Sequence, residues 1–132
     1  MKEEKINEVL KKNQIDVKEH STIYGTVQAI TGAYNNGLGN VMHTMKDHVI
    51  HINHQGVTIV PVDDNLGSLK EDELVFIPQE RIQIIRMNVK FFSFGLEIQT
   101  DKGKIIYKIR KNALGSPWHK ENLSYLLLSM TQ

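Results

Sequence analysis

Apolar and polar residues alternate along most of the chain after residue 20, and this pattern predicts a protein built mainly from β-strands. Successive side chains of a strand point to opposite faces of a sheet, so alternation is typical of a strand with one buried face. Two strands near the C-terminus, separated by a turn at 101–104, follow the pattern closely. Their apolar positions are Phe92, Phe94, Leu96 and Ile98 in the first, and Ile105, Tyr107 and Ile109 in the second.

Five further segments are predicted to be strands because they are rich in apolar and β-branched residues and are bounded by turn residues. They are Ile23–Ile30, His48–Asn53, Val57–Val62, Leu74–Ile77 and Arg81–Val89, with a less regular sixth segment at 41–45. Asn53 to Gly56 reads as the turn of a hairpin, with Gly56 able to adopt a positive φ. The apolar positions of 82–89 change phase midway, which predicts either a β-bulge or a strand partly covered on both faces.

A helix is predicted at each end of the chain. Ser116 and Pro117 suit the start of a helix, and the leucines and methionine that follow fall at i, i+3, i+4 and i+7. We expect Leu123, Leu126 and Leu127 to lie in the core and Met130 to share their face. The N-terminal segment Lys2–Lys12 carries a narrow apolar stripe and should be stable only when docked on the sheet, since it is short.

Composition narrows the protein class and shows an uneven distribution of charge. The 132 residues include no cysteine and no apolar run of membrane-spanning length, and the charged N-terminus does not resemble a secretory signal. We therefore expect a single domain, 1–132, in a reducing cytoplasm. The net charge is +1, but it is unevenly distributed. Residues 1–80 carry 7 basic and 12 acidic residues, whereas residues 81–132 carry 9 basic and 3 acidic residues.

Two segments resemble bacterial pleckstrin-homology-like (PH-like) domains. The hairpin 49–59 is similar to the family's second hairpin, and Phe76-Ile77-Pro78-Gln79-Glu80-Arg81-Ile82 resembles its "I-P-x-E-x-I" segment. The resemblance covers roughly residues 22–130, after an N-terminal helix and link at 1–20. It implies a barrel or sandwich of about seven antiparallel strands in two sheets, capped by the C-terminal helix. Family members bind phosphoinositides, peptides or other proteins, and no catalytic residue is carried over.

His48, His51 and His54 form a run that suggests a metal site, but strand geometry argues against one. On a strand, His48 and His54 lie about 20 Å apart and His51 faces the other way. We favour three polar positions on a hairpin, and we predict no metal, no cofactor and no catalytic group. A metal-dependent enzyme that uses these histidines is the weakest of our three hypotheses.

The first hypothesis is a non-enzymatic binding module that acts through protein–protein contact or self-association. The second is an anion-binding module that contacts anionic lipid or nucleic acid through basic residues of the last two strands. The candidate ligand-binding residues for these hypotheses are Lys102, Lys104, Lys108 and Arg110 in this basic patch, and Tyr34 and Asn36 in the loop after the first strand. Because the first hairpin has almost no basic residues, the resemblance does not favour phosphoinositide binding. An ordinary solvated face with lysines is the plainer alternative for the patch.

Overall fold

The computed structural model describes residues 1–32, 46–63 and 67–130, and these form a mainly β protein with a helix near each end. The helices are α1 (Glu3–Lys12) and α2 (Trp118–Met130). The strands are β1 (Thr22–Ile30), β2 (Asp47–Asn53), β3 (Gly56–Asp63), β4 (Ser68–Leu69), β5 (Val75–Pro78), β6 (Ile82–Val89), β7 (Ser93–Thr100) and β8 (Gly103–Arg110). The seven main predicted strands are confirmed to within two residues at each end, and the predicted segment at 41–45 lies outside the described residues.

The eight described strands form one open antiparallel sheet in the order β4-β3-β2-β1-β8-β7-β6, and β5 pairs with the first half of β3. The expectation of a closed barrel or a two-sheet sandwich is therefore wrong. The first long strand pairs with the last one, so the N-terminal and C-terminal strands meet in the middle of the sheet. β6 has a strand neighbour on one side only among the described residues.

The main core lies on one face of the sheet, which we call the inner face. It draws on strands from both ends of the sheet, including Ile59 of β3 and Ile98 of β7. Leu123 and Leu126 of α2 complete it, and both are buried as predicted. Leu127 is only half-buried, which corrects the prediction that it is a core residue. Helix α2 contacts β1 and β6, which are separated in the sheet by β8 and β7.

A second, smaller core lies on the opposite, outer face, where α1 docks. Ile6 and Leu10 of α1 pack with Val49 of β2 and Val62 of β3. Strands β2 and β3 are therefore covered on both faces, and nearly every residue in them is buried. The docking confirms that the short helix is held by tertiary contacts.

Turns and bulges follow the local sequence. Gly56 closes the β2–β3 hairpin at a φ of +142°, and a Cβ placed there would lie 2.0 Å from the carbonyl oxygen of Ile77. The pairing of β6 shifts register between Ile82 and Ile84, as the phase change predicts. Phe92 was predicted to be buried, and this is wrong, because β7 begins at Ser93 and Phe92 lies in the preceding turn. None of the described helices has the length and apolar character needed to cross a bilayer.

Candidate functional site

The outer face of β8 is cationic because its residues alternate strictly between core and surface. Ile105, Tyr107 and Ile109 are buried in the main core. The intervening positions therefore project from the outer face, where Lys108 and Arg110 are exposed and Lys104 is half-exposed. The alternation of strand side chains places three of the predicted binding residues on one face.

Glu97 of β7 is the acid that balances part of this charge. Its carboxylate is buried, accepts a hydrogen bond of 2.6 Å from Nε of Arg86, and lies 3.1 Å from Nζ of Lys104. The hydrogen bond from Lys104, together with Arg86, holds the pKa of Glu97 below its ordinary value in spite of burial. Arg86 and Lys104 are thus held in place by Glu97 and are less available to a ligand.

Lys90 joins the cationic face from the turn between β6 and β7. A Cβ placed on Gly95 would lie 3.3 Å from Cε of Lys90, so the lysine chain runs over the glycine. Gly95 is the Cα partner of Lys108 across the β7–β8 ladder. The absence of a side chain at position 95 therefore makes room for a second cation beside Lys108. No ion pair joins Lys90, Lys108 or Arg110 to an acid within 1–32, 46–63 and 67–130.

Beyond the Thr26–Lys108 pair, β1 and β8 stop pairing, and the imidazole of His119 lies between them. Continued by two residues, the same register would place Tyr24 opposite Arg110. Instead, Nδ1 of His119 accepts a hydrogen bond of 3.0 Å from the amide of Tyr24, and Nε2 donates one of 2.7 Å to the carbonyl of Arg110. These two bonds fix one neutral tautomer, and burial lowers the pKa of His119.

A cleft of about 210 Å³ opens at this point on the outer face. Its floor includes Thr26, which pairs with Lys108 on one side and with Asp47 on the other. The Thr26 hydroxyl donates a hydrogen bond of 2.7 Å to Asp47. Arg110 and Tyr24 also line the cleft. The cleft therefore has cations along its β8 wall and one carboxylate on the β2 side.

The turn between β6 and β7 carries an exposed aromatic pair, which we call the hairpin tip (residues 89–92). Phe91 is 88% exposed and Phe92 is 78% exposed, and their rings meet edge to face with centroids 4.4 Å apart. Val89 is 73% exposed. A hydrogen bond of 2.9 Å from the amide of Lys90 to the carbonyl of Ser93 closes the turn. The hairpin tip adjoins the cationic face, since Ser93 is the ladder partner of Arg110.

The other predicted binding residues lie elsewhere. Lys102 is exposed in the β7–β8 turn, eight residues from Arg110, which corresponds to about 26 Å along a strand. It therefore does not share a compact site with Arg110. Tyr34 and Asn36 lie outside the described residues.

The three histidines of the run do not converge. His48 is buried in the main core, with Nδ1 2.7 Å from the Tyr107 hydroxyl. His51 is buried on the outer side, with Nδ1 2.7 Å from the Thr22 hydroxyl, while His54 is exposed in the hairpin turn. All three lie on the β2–β3 hairpin, as predicted, and two of them are buried. In the part of the chain that the structure describes, no group of three His, Asp or Glu side chains is placed to hold a metal ion.

The predicted binding residues include neither His119 nor Lys90 nor the hairpin tip. Lys90-Phe91-Phe92 is the one signal that was available, because two adjacent aromatic residues interrupt the alternation between β6 and β7. His119 gave no local signal, since its partners are 95 and 9 residues away. Searches of family models, curated proteins and solved structures find no match to this chain.

Proposed function

We propose that this protein is a binding module rather than an enzyme, and that it binds an anionic ligand on the outer face of β7 and β8. Its buried imidazoles support this proposal because they serve the fold. His119 bridges two strands, His48 bonds to Tyr107, and His51 bonds to Thr22. The antiparallel strands followed by a single packed helix are also in keeping with a PH-like module, although the sheet is open.

The observation that carries the proposal is the crowding of Lys90, Lys108 and Arg110 on one face without an acid partner in the described chain. Ladder pairing sets Lys108 beside Gly95, over which Lys90 lies. Like charges held this close repel one another, and an anion relieves the repulsion. Arg110 adds a guanidinium, whose planar donors suit phosphate and carboxylate oxygens.

Binding of a soluble polyphosphate chain, followed by calorimetry or fluorescence anisotropy over a series of salt concentrations, tests this function. We expect affinity to fall steeply with salt, and the Lys108→Glu/Arg110→Glu variant to weaken it strongly and to make the log–log slope shallower by roughly one to two units. The matched control is Lys5→Glu/Lys11→Glu, which reverses two exposed charges on α1. Equal losses in both variants would show that net charge, not this face, controls binding.

Self-association is a second candidate function, favoured by the free edge of β6. This eight-residue strand has a strand partner on one side only in the described sheet, and an unpaired edge is a template for another strand. Light scattering coupled to size-exclusion chromatography over a range of protein concentrations tests it. We expect a dimer whose fraction rises with concentration, and a monomer throughout the range would eliminate this candidate.

A further inference from the structure

We propose that the anionic ligand is the surface of a lipid bilayer, with Phe91 and Phe92 entering the interface while Lys90, Lys108 and Arg110 contact lipid headgroups. This inference rests on the proposed anion-binding function. It adds the hairpin tip as a membrane-docking element, which anion binding alone does not require.

The exposure of the hairpin tip is the first step of the argument. Three of its four side chains are large and apolar, and all three are more than 70% exposed. Two adjacent phenyl rings that contact each other leave a continuous apolar surface in water, and such surfaces mark interaction sites. The tip projects from the end of a paired hairpin whose turn is closed by a backbone bond, so it is presented on a rigid support.

The second step is the position of the charges around the tip. Lys90 lies within the apolar run itself and reaches back over Gly95. Arg110 lies opposite Ser93, the residue that follows Phe92, and Lys108 lies opposite Gly95. Aromatic side chains flanked by basic residues are the arrangement that interfacial membrane-binding elements use, since the rings enter the headgroup boundary and the cations pair with anionic lipids.

The third step distinguishes a bilayer from a nucleic acid. Bases stack on aromatic rings that present an open face along a charged groove. Here the two rings stand at 86° to each other, so they do not form a parallel platform for successive bases, and Val89 beside them offers no aromatic surface. The apolar interior of a bilayer accepts apolar side chains in any orientation. A projecting cluster of aliphatic and aromatic side chains therefore suits a bilayer better than a stack of bases.

The test uses the full chain and vesicles of two compositions, phosphatidylcholine alone and phosphatidylcholine with phosphatidylglycerol. We expect co-sedimentation with the anionic vesicles only, reduced by added salt. Phe91→Ser/Phe92→Ser should weaken vesicle binding about tenfold or more, because two phenyl rings no longer leave water. Leu128→Ser is the control, since Leu128 is 70% exposed on α2 and is not part of the hairpin tip, so its loss should leave binding unchanged.

Polyphosphate binding separates failure of this inference from failure of the proposed function. We expect the Phe91→Ser/Phe92→Ser variant to bind polyphosphate as the unchanged protein does. A protein that binds polyphosphate but neither vesicle type would overturn the bilayer inference and leave anion binding standing. A protein that binds neither ligand would overturn both. Binding of single-stranded oligonucleotides that requires Phe91 and Phe92, without vesicle binding, would identify a nucleic-acid surface instead.

Depth of insertion gives an independent measurement. In a Phe92→Trp variant, the added indole should be quenched by lipids brominated on their acyl chains, beyond any quenching of Trp118 in the unchanged protein. Absence of extra quenching in a variant that still sediments with anionic vesicles would show that the charges bind without the tip. That result would contradict the insertion of the phenyl rings.

Discussion

The imidazole of His119 bridges Tyr24 of β1 and Arg110 of β8, at a point where the two strands would otherwise pair directly. Nδ1 of His119 accepts the Tyr24 amide at 3.0 Å, and Nε2 donates to the Arg110 carbonyl at 2.7 Å. A side chain from α2 therefore joins the two central strands of the sheet at the mouth of the cleft. The bridge holds the backbone carbonyl of Arg110, whose side chain lies on the cationic face.

The first prediction concerns this bridge. His119→Phe keeps a ring of similar size but leaves the Tyr24 amide and the Arg110 carbonyl without their partner, so we expect a loss of roughly 1–3 kcal/mol in the free energy of unfolding. Urea denaturation measures the loss. Amide hydrogen exchange at Tyr24 should also become faster, and unchanged exchange there would contradict the role that we assign to His119.

The second prediction concerns the polar pair inside the main core. Nδ1 of His48 lies 2.7 Å from the hydroxyl of Tyr107, both side chains are buried, and burial raises the pKa of Tyr107. Tyr107→Phe removes this hydrogen bond without removing the ring, and we expect it to destabilise the fold by about 1–2 kcal/mol. Tyr125→Phe, at an exposed position of α2, is the control. Equal losses in the free energy of unfolding for the two changes would show that the buried hydrogen bond does not stabilise the fold.

The third prediction concerns pH. Burial lowers the pKa of His51 from its ordinary 6.5 to about 4. Between pH 6.5 and about pH 4, His51 is protonated in the unfolded chain but neutral in the folded chain. The free energy of unfolding therefore decreases as the pH falls through this range. The free energy of unfolding should drop by about 2 kcal/mol from this group between pH 8 and pH 5. His51→Gln should flatten that part of the profile, which urea denaturation at a series of pH values measures.

The fourth prediction concerns the C-terminal helix. Leu126 is buried in the main core, so Leu126→Ala should cost roughly 2–5 kcal/mol through lost burial and the cavity left behind. Leu128→Ala, two positions further on the exposed side, should change stability by less than about 0.5 kcal/mol. Thermal unfolding of the two variants side by side measures the difference, and similar values would mean that α2 does not seal the core.

Much of the local structure could be predicted because it depends on residues close in sequence. The period-2 pattern predicts the main strands, and Gly56 predicts the tight β2–β3 turn. The same reasoning failed at Phe92, where the alternation continues into the turn although the strand starts one residue later. Of the candidate site, Lys108 and Arg110 could be placed on one face, because alternation along a single strand is a local property. Lys104, which the sequence assigns to the turn, joins them because β8 begins at Gly103.

The sequence by itself determined where the seven main strands lie, which face of β8 is buried, and where the two helices form, but it did not predict the short strand β4. Only the tertiary structure decided that β1 meets β8, that the sheet stays open, and that His119 bridges the strands where they part. Periodicity specifies the face of a strand but not the edge that it pairs with. The burial of His48 and His51 was decided in the same way, since Tyr107 covers one face of β2 while Asp16 and Lys18 contact the other.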